Sequence, residues 1–290
     1  MSFDTALQVV HDTLAQLKDR GVELRASSAA LERLAATKSV ARETPQAMEN
    51  EPRINTDETR IEPVPIREYP LPSVVETSSP AEVAAKAARL AELRPPVLAC
   101  TKCPHLVASR TQVVFGVGNP AAELMFVGEA PGADEDLQGE PFVGKAGELL
   151  TKIIVAMGFA RADVYIANVL KCRPDMPPGE PGNRKPRPAE METCLPYLRQ
   201  QIDIIQPRAL VALGATAMEG LLGETQPMNR LRGRWHEFNG IPLMATYHPA
   251  YLLRNQSLSE KRKVWEDMLM VLERLGKPIS EKQRNYFLSK

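Results

Sequence analysis

The sequence predicts an α/β protein with a mostly parallel sheet that helices cover on both faces. From about residue 88 onward, short apolar runs alternate with segments in which apolar residues recur every three or four positions. This is the pattern of strands followed by helices. The hydrophobic fraction of 43% is high enough for a well-buried core. We therefore expect a globular protein in which strands and helices alternate along the chain.

Four predicted strands are each followed by a predicted helix. The strands are residues 124–127, 164–169, 209–213 and 241–246, and the helices are residues 145–157, 189–205, 215–222 and 261–275. Ligands of such sheets bind at the carboxyl ends of the strands. The loops that begin at Gly128, Lys171, Gly214 and Tyr247 should therefore form the functional site.

The N-terminal part of the chain differs in composition from the rest. Residues 1–40 contain short amphipathic patterns that predict helices. Residues 41–87 are rich in proline and acidic residues and lack any period, which predicts a disordered linker. We expect the folded domain to span residues 88–275 and a C-terminal tail to occupy residues 276–290.

The overall charge favours no class of partner. Lys and Arg together number 36, as do Asp and Glu, so the net charge gives no pull toward nucleic acid or a membrane. The N-terminus lacks a signal-peptide pattern, and no stretch approaches the roughly 20 apolar residues that span a bilayer. We therefore expect a cytoplasmic protein with no membrane partner.

The four cysteines are too few for a disulfide scaffold in a chain of 290 residues. Cys100 and Cys103 form a C-x-x-C pair, whereas Cys172 and Cys194 are separated by 21 residues. This spacing does not match a ribbon-type zinc site, but it suits an iron–sulfur cluster, which tolerates variable spacing between its four thiolates. Cluster, zinc and plain buried cysteines all remain open at this point.

The segment Gly139–Lys145 fits the phosphate-binding pattern G-x-x-x-x-G-K. In a true phosphate loop, a Ser or Thr follows the Lys and a strand directly precedes the loop. Here Ala146 follows the Lys, and the polar sequence "ADEDLQ" precedes the loop. These differences argue against a nucleotide hydrolase.

Other residues at the predicted strand ends suit a flat ligand. Gly128 begins a turn of small residues that lets a ligand approach backbone N–H groups, and Phe142 offers a ring for stacking. Asn168 ends one strand with an amide that can both donate and accept, and His248 ends another. Taken singly, Phe142 could be core, Asn168 a turn residue and His248 structural. Their expected convergence on one crevice favours a functional site.

Several longer stretches, in order, closely resemble the family 4 uracil-DNA glycosylases, the iron–sulfur type. They are "TKCPHLVASRTQVVFGVGNPAAELMFVGEAPG", "DEDLQGEPFVGKAGELL", "YIANVLKCRP", "PGNRKP" and "YHPAYLLR", and the resemblance covers roughly residues 90–275. It implies a three-layer sandwich around a four-stranded, mostly parallel sheet, and the release of uracil from DNA by hydrolysis. It also implies a structural [4Fe–4S] cluster held by Cys100, Cys103, Cys172 and Cys194.

The resemblance also implies roles for individual residues. Phe142 would stack on the flipped uracil above the Gly128 turn, Asn168 would read its Watson–Crick edge, and His248 would donate to the carbonyl oxygen that gains charge. Glu129 and Ala130 would line the turn that holds the attacking water. The remaining implied residues are Glu135 at an acidic position of the motif, Asn183 after the third cysteine, and Leu252, Leu253 and Arg254 in a loop that wedges into DNA.

Two features of the chain lie outside this resemblance. The segment between Cys172 and Cys194 is several residues longer than the family pattern, and the N-terminal extension has no counterpart in it. A helix of that extension could recruit a repair or replication protein, or the extension could bind nothing. We expect a monomer that acts on uracil-containing DNA near the nucleoid. The alternatives are a non-catalytic or covalent uracil-DNA binding protein of the same superfamily and a nucleic-acid interaction module with the same fold.

Overall fold

The computed structural model describes residues 79–177, 180 and 182–288. The predicted helices of residues 1–40, and with them the predicted partner-binding helix, lie outside these residues, as does the linker up to residue 78. Within the described part of the chain, no helix is long and apolar enough to cross a membrane.

The core of the fold is a six-stranded sheet with the order β1-β3-β2-β4-β6-β5. The four central strands are parallel to one another, whereas β1 and β5 are antiparallel edges. The predicted parallel sheet is thus confirmed, with two edge strands added to the four expected. The strands are β1 Val117–Gly118, β2 Leu124–Gly128, β3 Tyr165–Asn168, β4 Ala209–Leu213, β5 Trp235–Phe238 and β6 Ile241–Thr246.

The two added strands differ in how clearly the sequence indicates them. β1 contains two residues, too few to show any alternation in the sequence. β5 pairs with β6 through a hairpin at Asn239 and Gly240, whose φ values of 51° and 80° are those of a tight two-residue turn. An Asn-Gly pair between apolar runs is a strong hairpin signal. The extra strand could therefore have been read from the sequence.

Helices cover both faces of the sheet, as expected. One face packs against α1, α2, α5 and α6, and the other face packs against α4 and α9. The helices are α1 Pro80–Leu98, α2 Pro104–Ser109, α3 Ala133–Gln138, α4 Lys145–Ala156, α5 Pro188–Ile205, α6 Ala215–Leu222, α7 Met228–Leu231, α8 Pro249–Arg254, α9 Leu258–Arg274 and α10 Glu281–Arg284.

The first described helix corrects the predicted domain boundary. Residues 80–87 are helical, so the linker cannot extend to residue 87. Ser79 and Glu82 form a capping box at the start of α1, and Pro80 occupies its first position, where a missing N–H has no cost. Leu90, Leu93 and Val97 then anchor α1 in the core. The folded part of the chain therefore begins at least as early as Ser79.

Three other segments differ from expectation. The polar stretch "ADEDLQ" is helix α3, which begins with acidic residues, as the positive end of a helix dipole favours. Residues 249–254, expected as a loop, form helix α8 behind Pro249. The C-terminal tail also packs on the domain, since the Trp265 indole N–H donates to Gln283 O at 2.6 Å and the Tyr286 ring meets Trp265 edge-on.

Candidate active site

A cavity of about 380 Å³ lies at the carboxyl edge of the central strands. Gly128 and Asn168 are paired at the ends of β2 and β3, and His248 follows the end of β6. A larger cavity of about 820 Å³ lies beside Glu123 and Arg208, which precede β2 and β4 at the opposite edge. The smaller cavity is the better candidate because most of the predicted site residues line it. These are Glu129, Ala130, Glu135, Phe142, Asn168, Asn183, His248 and Arg254.

The floor of the cavity depends on a missing side chain at Gly128. A Cβ there would lie 2.6 Å from the Phe142 ring and would overlap the Asn168 amide oxygen. Glycine therefore allows the Phe142 ring and the Asn168 amide to come close together over the end of β2. The structure thus brings the predicted Gly128, Phe142 and Asn168 into one place.

Phe142 holds its ring in the cavity at a conformational cost. Its φ is 56°, a left-handed conformation that costs an aromatic residue roughly 1–3 kcal/mol. The ring is buried, and its centroid lies 5.5 Å from that of His248. A Cβ at Gly147 would overlap the Phe142 carbonyl oxygen, so the loop is pressed against the first turn of α4. Strained backbone of this kind is typical of functional sites.

The Asn168 side chain presents an unused acceptor. It is 2% exposed, and its Oδ1 is the single buried side-chain N or O atom among the described residues that has no hydrogen-bond partner. A buried polar atom without a partner costs about 1–3 kcal/mol. This cost is recovered if a ligand brings an N–H group to Oδ1. The amide is therefore aimed at a flat, hydrogen-bonding ligand.

His248 is a neutral donor. Its Nδ1 accepts a hydrogen bond from the Ala250 N–H at 3.1 Å, so the neutral ring carries its proton on Nε2. Burial and, to a smaller extent, the charge of Arg254 lower the pKa of His248 to about 4, while the charge of Glu135 opposes them. The ring is consequently uncharged at neutral pH and offers an Nε2–H group.

We predict that His248 makes folding sensitive to acid. The pKa of His248 is about 4 in the folded protein, whereas its ordinary value is 6.5. Between these two pH values the unfolded chain binds a proton at this residue and the folded chain does not. The free energy of unfolding should fall as pH falls from about 6.5 to about 4, by up to about 3 kcal/mol from this residue, and the loss should be absent above pH 7. Urea unfolding of the wild type and His248→Gln at several pH values isolates this effect. Equal pH dependence of the two proteins would contradict it.

The Glu135 carboxylate accepts hydrogen bonds from the backbone around the cavity. It accepts from the N–H groups of Gly132 at 3.0 Å, Val143 at 3.0 Å and Gly144 at 3.1 Å. One side chain therefore ties the turn after β2 to the loop that carries Phe142. This geometry suits a positioning role.

The turn after β2 contributes a second carboxyl group. Burial raises the pKa of Glu129, while a hydrogen bond with Thr216 and the charge of Lys185 lower it. The next residue, Ala130, offers no side-chain functional group and also lines the cavity. The turn thus places one partly buried carboxyl group beside the Phe142 and Asn168 pocket.

The loop after Cys172 closes another side of the cavity. It contributes the expected Asn183 and two cations that sequence reasoning missed, Arg184 and Lys185. Asn183 Oδ1 accepts from Arg173 Nε at 3.3 Å. The motif "PGNRKP" did contain these cations, but its spacing gave no indication of which side chains would face the cavity.

Arg184 lies at the centre of an ion-pair network. It donates to Glu190 Oε1 at 2.7 Å and to the Asp175 carboxylate, and Glu190 also contacts His105 Nε2 at 2.7 Å. Burial alone would raise the pKa of Glu190, but these donors and the Arg187 N–H lower it to about 2. His105, Asp175 and Glu190 are close enough to hold a metal ion, yet the Arg184 guanidinium already pairs with both carboxylates. The network fixes the Asn183 loop against α2 and α5.

The three residues expected to contact DNA lie on helix α8 and differ in exposure. Leu252 is 4% exposed and packs inward, whereas 38% of Leu253 is exposed. Arg254 is exposed and lines the cavity. Because the segment is helical, successive side chains point in different directions. Leu252 therefore supports the helix, and of the three residues only Leu253 and Arg254 are exposed.

The four cysteines converge from three parts of the chain. Cys100 and Cys103 lie between α1 and α2, Cys172 follows β3, and Cys194 lies within α5. None forms a disulfide. Burial is the main cause that raises the pKa of Cys194, and the thiols of Cys172 and Cys100 raise it further, so these sulfurs lie within reach of one another's charge.

Donors surround the sulfurs. Arg110 Nη1 donates to Cys172 Sγ at 3.0 Å, and the Lys171 backbone N–H donates to Cys194 Sγ at 3.3 Å. The Lys171 ammonium is buried and donates to two neutral acceptors, Asn168 O at 2.9 Å and Gln201 Oε1 at 2.6 Å. The Arg110 guanidinium lowers the pKa of Cys172 and the Lys171 ammonium lowers that of Cys194, and both oppose the larger effect of burial, which raises these pKa values.

The spacing of the sulfurs separates two kinds of metal centre. Ligands of a tetrahedral zinc, at 2.3 Å from the metal, lie about 3.8 Å apart. No three cysteine sulfurs of the described residues lie within 4.8 Å of one another. A four-iron cluster binds each thiolate to a different iron and holds them further apart. The arrangement therefore fits a cluster better than a single zinc ion.

Comparisons with known proteins agree with this geometry. The sequence model of the uracil DNA glycosylase superfamily matches residues 115–269. The type-4 uracil-DNA glycosylase of Thermotoga maritima is 46% identical over 172 residues, which are 58% of this chain and 85% of that protein. The Archaeoglobus fulgidus enzyme of the same name is 44% identical over 173 residues, or 57% and 83% of the two chains. That of Sulfurisphaera tokodaii is 40% identical over 208 residues, or 69% and 90%. The chain therefore belongs to the uracil DNA glycosylase superfamily and, within it, to the type-4 uracil-DNA glycosylases.

Proposed function

We propose that this protein hydrolyses the N-glycosidic bond of uracil in DNA and leaves an abasic site, the initiating step of base excision repair. The unpartnered Asn168 Oδ1, buried beside the Phe142 ring, is the observation that carries the proposal. Uracil has the matching chemistry, since it is flat and presents an N3–H donor beside a carbonyl acceptor. It must leave the base stack to reach the cavity.

Recognition of the base uses two side chains. The Phe142 ring stacks on the flipped uracil, and base–aromatic stacking contributes about 1–3 kcal/mol. Asn168 Oδ1 accepts from uracil N3–H, and the amide nitrogen donates to the neighbouring carbonyl oxygen. Cytosine lacks an N3–H, so it would leave Oδ1 without a partner and is disfavoured.

Bond cleavage depends on stabilising the departing base. As the glycosidic bond breaks, negative charge develops on the uracil carbonyl oxygen beside the bond. The His248 Nε2–H donates to this oxygen, and a neutral donor suits a site from which water is excluded. The water that completes the reaction is held in the turn by Glu129 and the Ala130 backbone. Glu135 keeps that turn in place.

The surroundings of the cavity suit a DNA backbone. Lys185 and Arg254 line the cavity, are exposed and can contact phosphates. Leu253 is an exposed apolar side chain on the same helix as Arg254, placed to fill the gap that the extruded base leaves. We assign Lys185, Leu253 and Arg254 to DNA binding and leave Leu252 out because it is buried.

We further propose that Cys100, Cys103, Cys172 and Cys194 hold a [4Fe–4S] cluster. The spacing of the sulfurs, the Arg110 donor and the buried Lys171 cation support this assignment. When bound, the cluster supplies a covalent cross-link between the end of α1, the segment after β3 and helix α5. The residues of the uracil cavity then perform recognition and cleavage themselves.

The remaining proposals concern the chain as a whole. Action as a monomer stays a prediction. We propose that the protein acts in the cytoplasm at the nucleoid, because its proposed substrate is DNA. The role of residues 1–40 in binding a repair or replication protein stays a prediction, as do the domain limits within residues 1–78.

The direct test is excision from an oligonucleotide with one uracil. We expect the purified protein to create an alkali-sensitive abasic site at uracil, while the matched oligonucleotide with thymine stays intact. Mass spectrometry of the released base identifies uracil. Tight, uracil-selective binding without release of the base would overturn the proposal and favour a non-catalytic uracil-DNA binding protein.

A further inference from the structure

We propose that Arg161 is a positioning residue that holds Phe142 in its strained, stacking-competent conformation. The inference rests on the proposed function, since it assigns Phe142 to the flipped base. Arg161 is outside the cavity and outside every motif that identified the site. It acts through its contacts with the backbone of the Phe142 loop.

The guanidinium joins two consecutive carbonyls of this loop to helix α4. Arg161 Nη2 donates to Pro141 O at 2.7 Å and to Phe142 O at 3.1 Å, while Nη1 donates to Thr151 Oγ1 at 3.1 Å. The Thr151 hydroxyl in turn donates to Gly147 O at 2.9 Å. Arginine suits this position because its planar fork can serve several acceptors in a fixed geometry.

The loop needs an external support. Phe142 has a φ of 56°, which a phenylalanine keeps only when its surroundings enforce it. Its carbonyl oxygen is held on one side by close contact with Gly147 and on the other by Arg161. The carbonyl oxygens of Pro141 and Phe142 both point toward the Arg161 guanidinium, and its positive charge offsets the repulsion between the two carbonyl dipoles. Arg161 thus satisfies the two groups that the strained turn exposes.

The consequence for the site is geometric. Relaxation of Phe142 to a negative φ would rotate its ring away from Gly128 and His248, which now pack against it. Loss of the Arg161 fork should therefore weaken stacking on uracil, while the hydrogen bond between the Ala250 N–H and His248 Nδ1 is retained. Misplacement of a positioning group by about 1 Å can cost on the order of 100-fold in rate.

A double-mutant cycle tests this link. We expect Arg161→Ala to lower kcat/KM for uracil-containing DNA by about 10- to 100-fold and to weaken inhibition by free uracil by a similar factor. If Arg161 acts through Phe142, the double variant Arg161→Ala with Phe142→Ala should be no worse than Phe142→Ala alone. Arg161→Lys should recover part of the loss, since an ammonium can serve one carbonyl but not the full fork.

The matched control is Arg208→Ala at the opposite edge of the sheet. Arg208 is also a half-buried arginine, with bonds to Glu123 at 3.1 Å and Leu275 O at 3.2 Å, and its loss should leave free-uracil inhibition unchanged. Thermal unfolding and visible absorbance check that each variant is folded. If Arg161→Ala fails to fold, Thr151→Val, which removes one anchor of the guanidinium, takes its place with the same expected direction.

Two results would overturn the inference. One is an unchanged inhibition constant for free uracil in a folded Arg161→Ala variant. The other is full additivity of the Arg161 and Phe142 effects. Failure of the proposed function is distinguishable, because the wild type would then release no uracil. In that case the double-mutant cycle would use the equilibrium dissociation constants of free uracil for the wild type and the three variants.

Discussion

His248→Ala should lower the single-turnover rate of uracil release by about 10²- to 10³-fold, which corresponds to about 2.7–4 kcal/mol of transition-state stabilisation. The reason is that the neutral ring has its proton on Nε2, and we propose that this N–H donates to the oxygen that becomes charged only as the bond breaks. Affinity for uracil-containing DNA should change far less, because stacking and the Asn168 amide recognise the ground state. Rapid-quench kinetics and fluorescence anisotropy measure the two quantities on the same DNA.

Two further variants show whether the donor is responsible. His248→Gln keeps a neutral hydrogen-bonding group and should recover part of the lost rate. His236→Ala removes a histidine that bonds Leu231 O at 2.7 Å on the edge strand, outside the cavity, and should retain the wild-type rate. A fall in rate of less than threefold for His248→Ala would show that another group stabilises the departing base.

Cys172→Ala should cost the protein its colour and much of its stability at the same time. Cys172 is a buried proposed ligand, and its loss leaves Arg110 Nη1 without the sulfur it bonds and breaks the link between three segments of the chain. Metal-centre binding contributes directly to folding free energy, by roughly 10–16 kcal/mol for structural zinc in small domains. We therefore expect low soluble yield, no visible cluster absorbance and unfolding at lower denaturant concentration.

The matched control for Cys172→Ala is Leu195→Ala. Leu195 is a buried core residue next to Cys194, so its truncation should cost about 2–5 kcal/mol as a cavity in the core while the colour remains. Iron and sulfide analysis of both variants separates loss of the cluster from loss of packing. A stable, colourless and active Cys172→Ala protein would contradict the cluster assignment.

The central sheet and much of the site could be predicted from local sequence. Apolar runs marked the four parallel strands, and the ends of parallel strands must meet at one edge, which brings Gly128, Asn168 and His248 together. Phe142 could be predicted at the same edge because its loop directly precedes α4. These features follow from short-range patterns and one topological rule.

Other features depend on contacts between distant residues and left no local pattern. Arg184 is held at the cavity by its ion pair with Glu190, Lys185 pairs with Glu219, and Arg161 meets the Phe142 loop across 19 residues. The resemblance implies a loop with Leu252 at the DNA, whereas helix α8 turns this side chain inward. Sequence periodicity predicts that a helix exists more readily than it predicts which side chains meet across space.

The Glu135 carboxylate, with its three backbone N–H partners, has a consequence for the timing of catalysis. The turn and the Phe142 loop lose their conformational entropy when the chain folds, so this part of the ordering cost does not recur when a base enters. The turn and the Phe142 loop are ordered before the base enters the cavity, so no closing motion of these two segments has to precede cleavage. The slow event in capture should therefore be the departure of uracil from the DNA stack, and weakly paired uracils should be removed fastest.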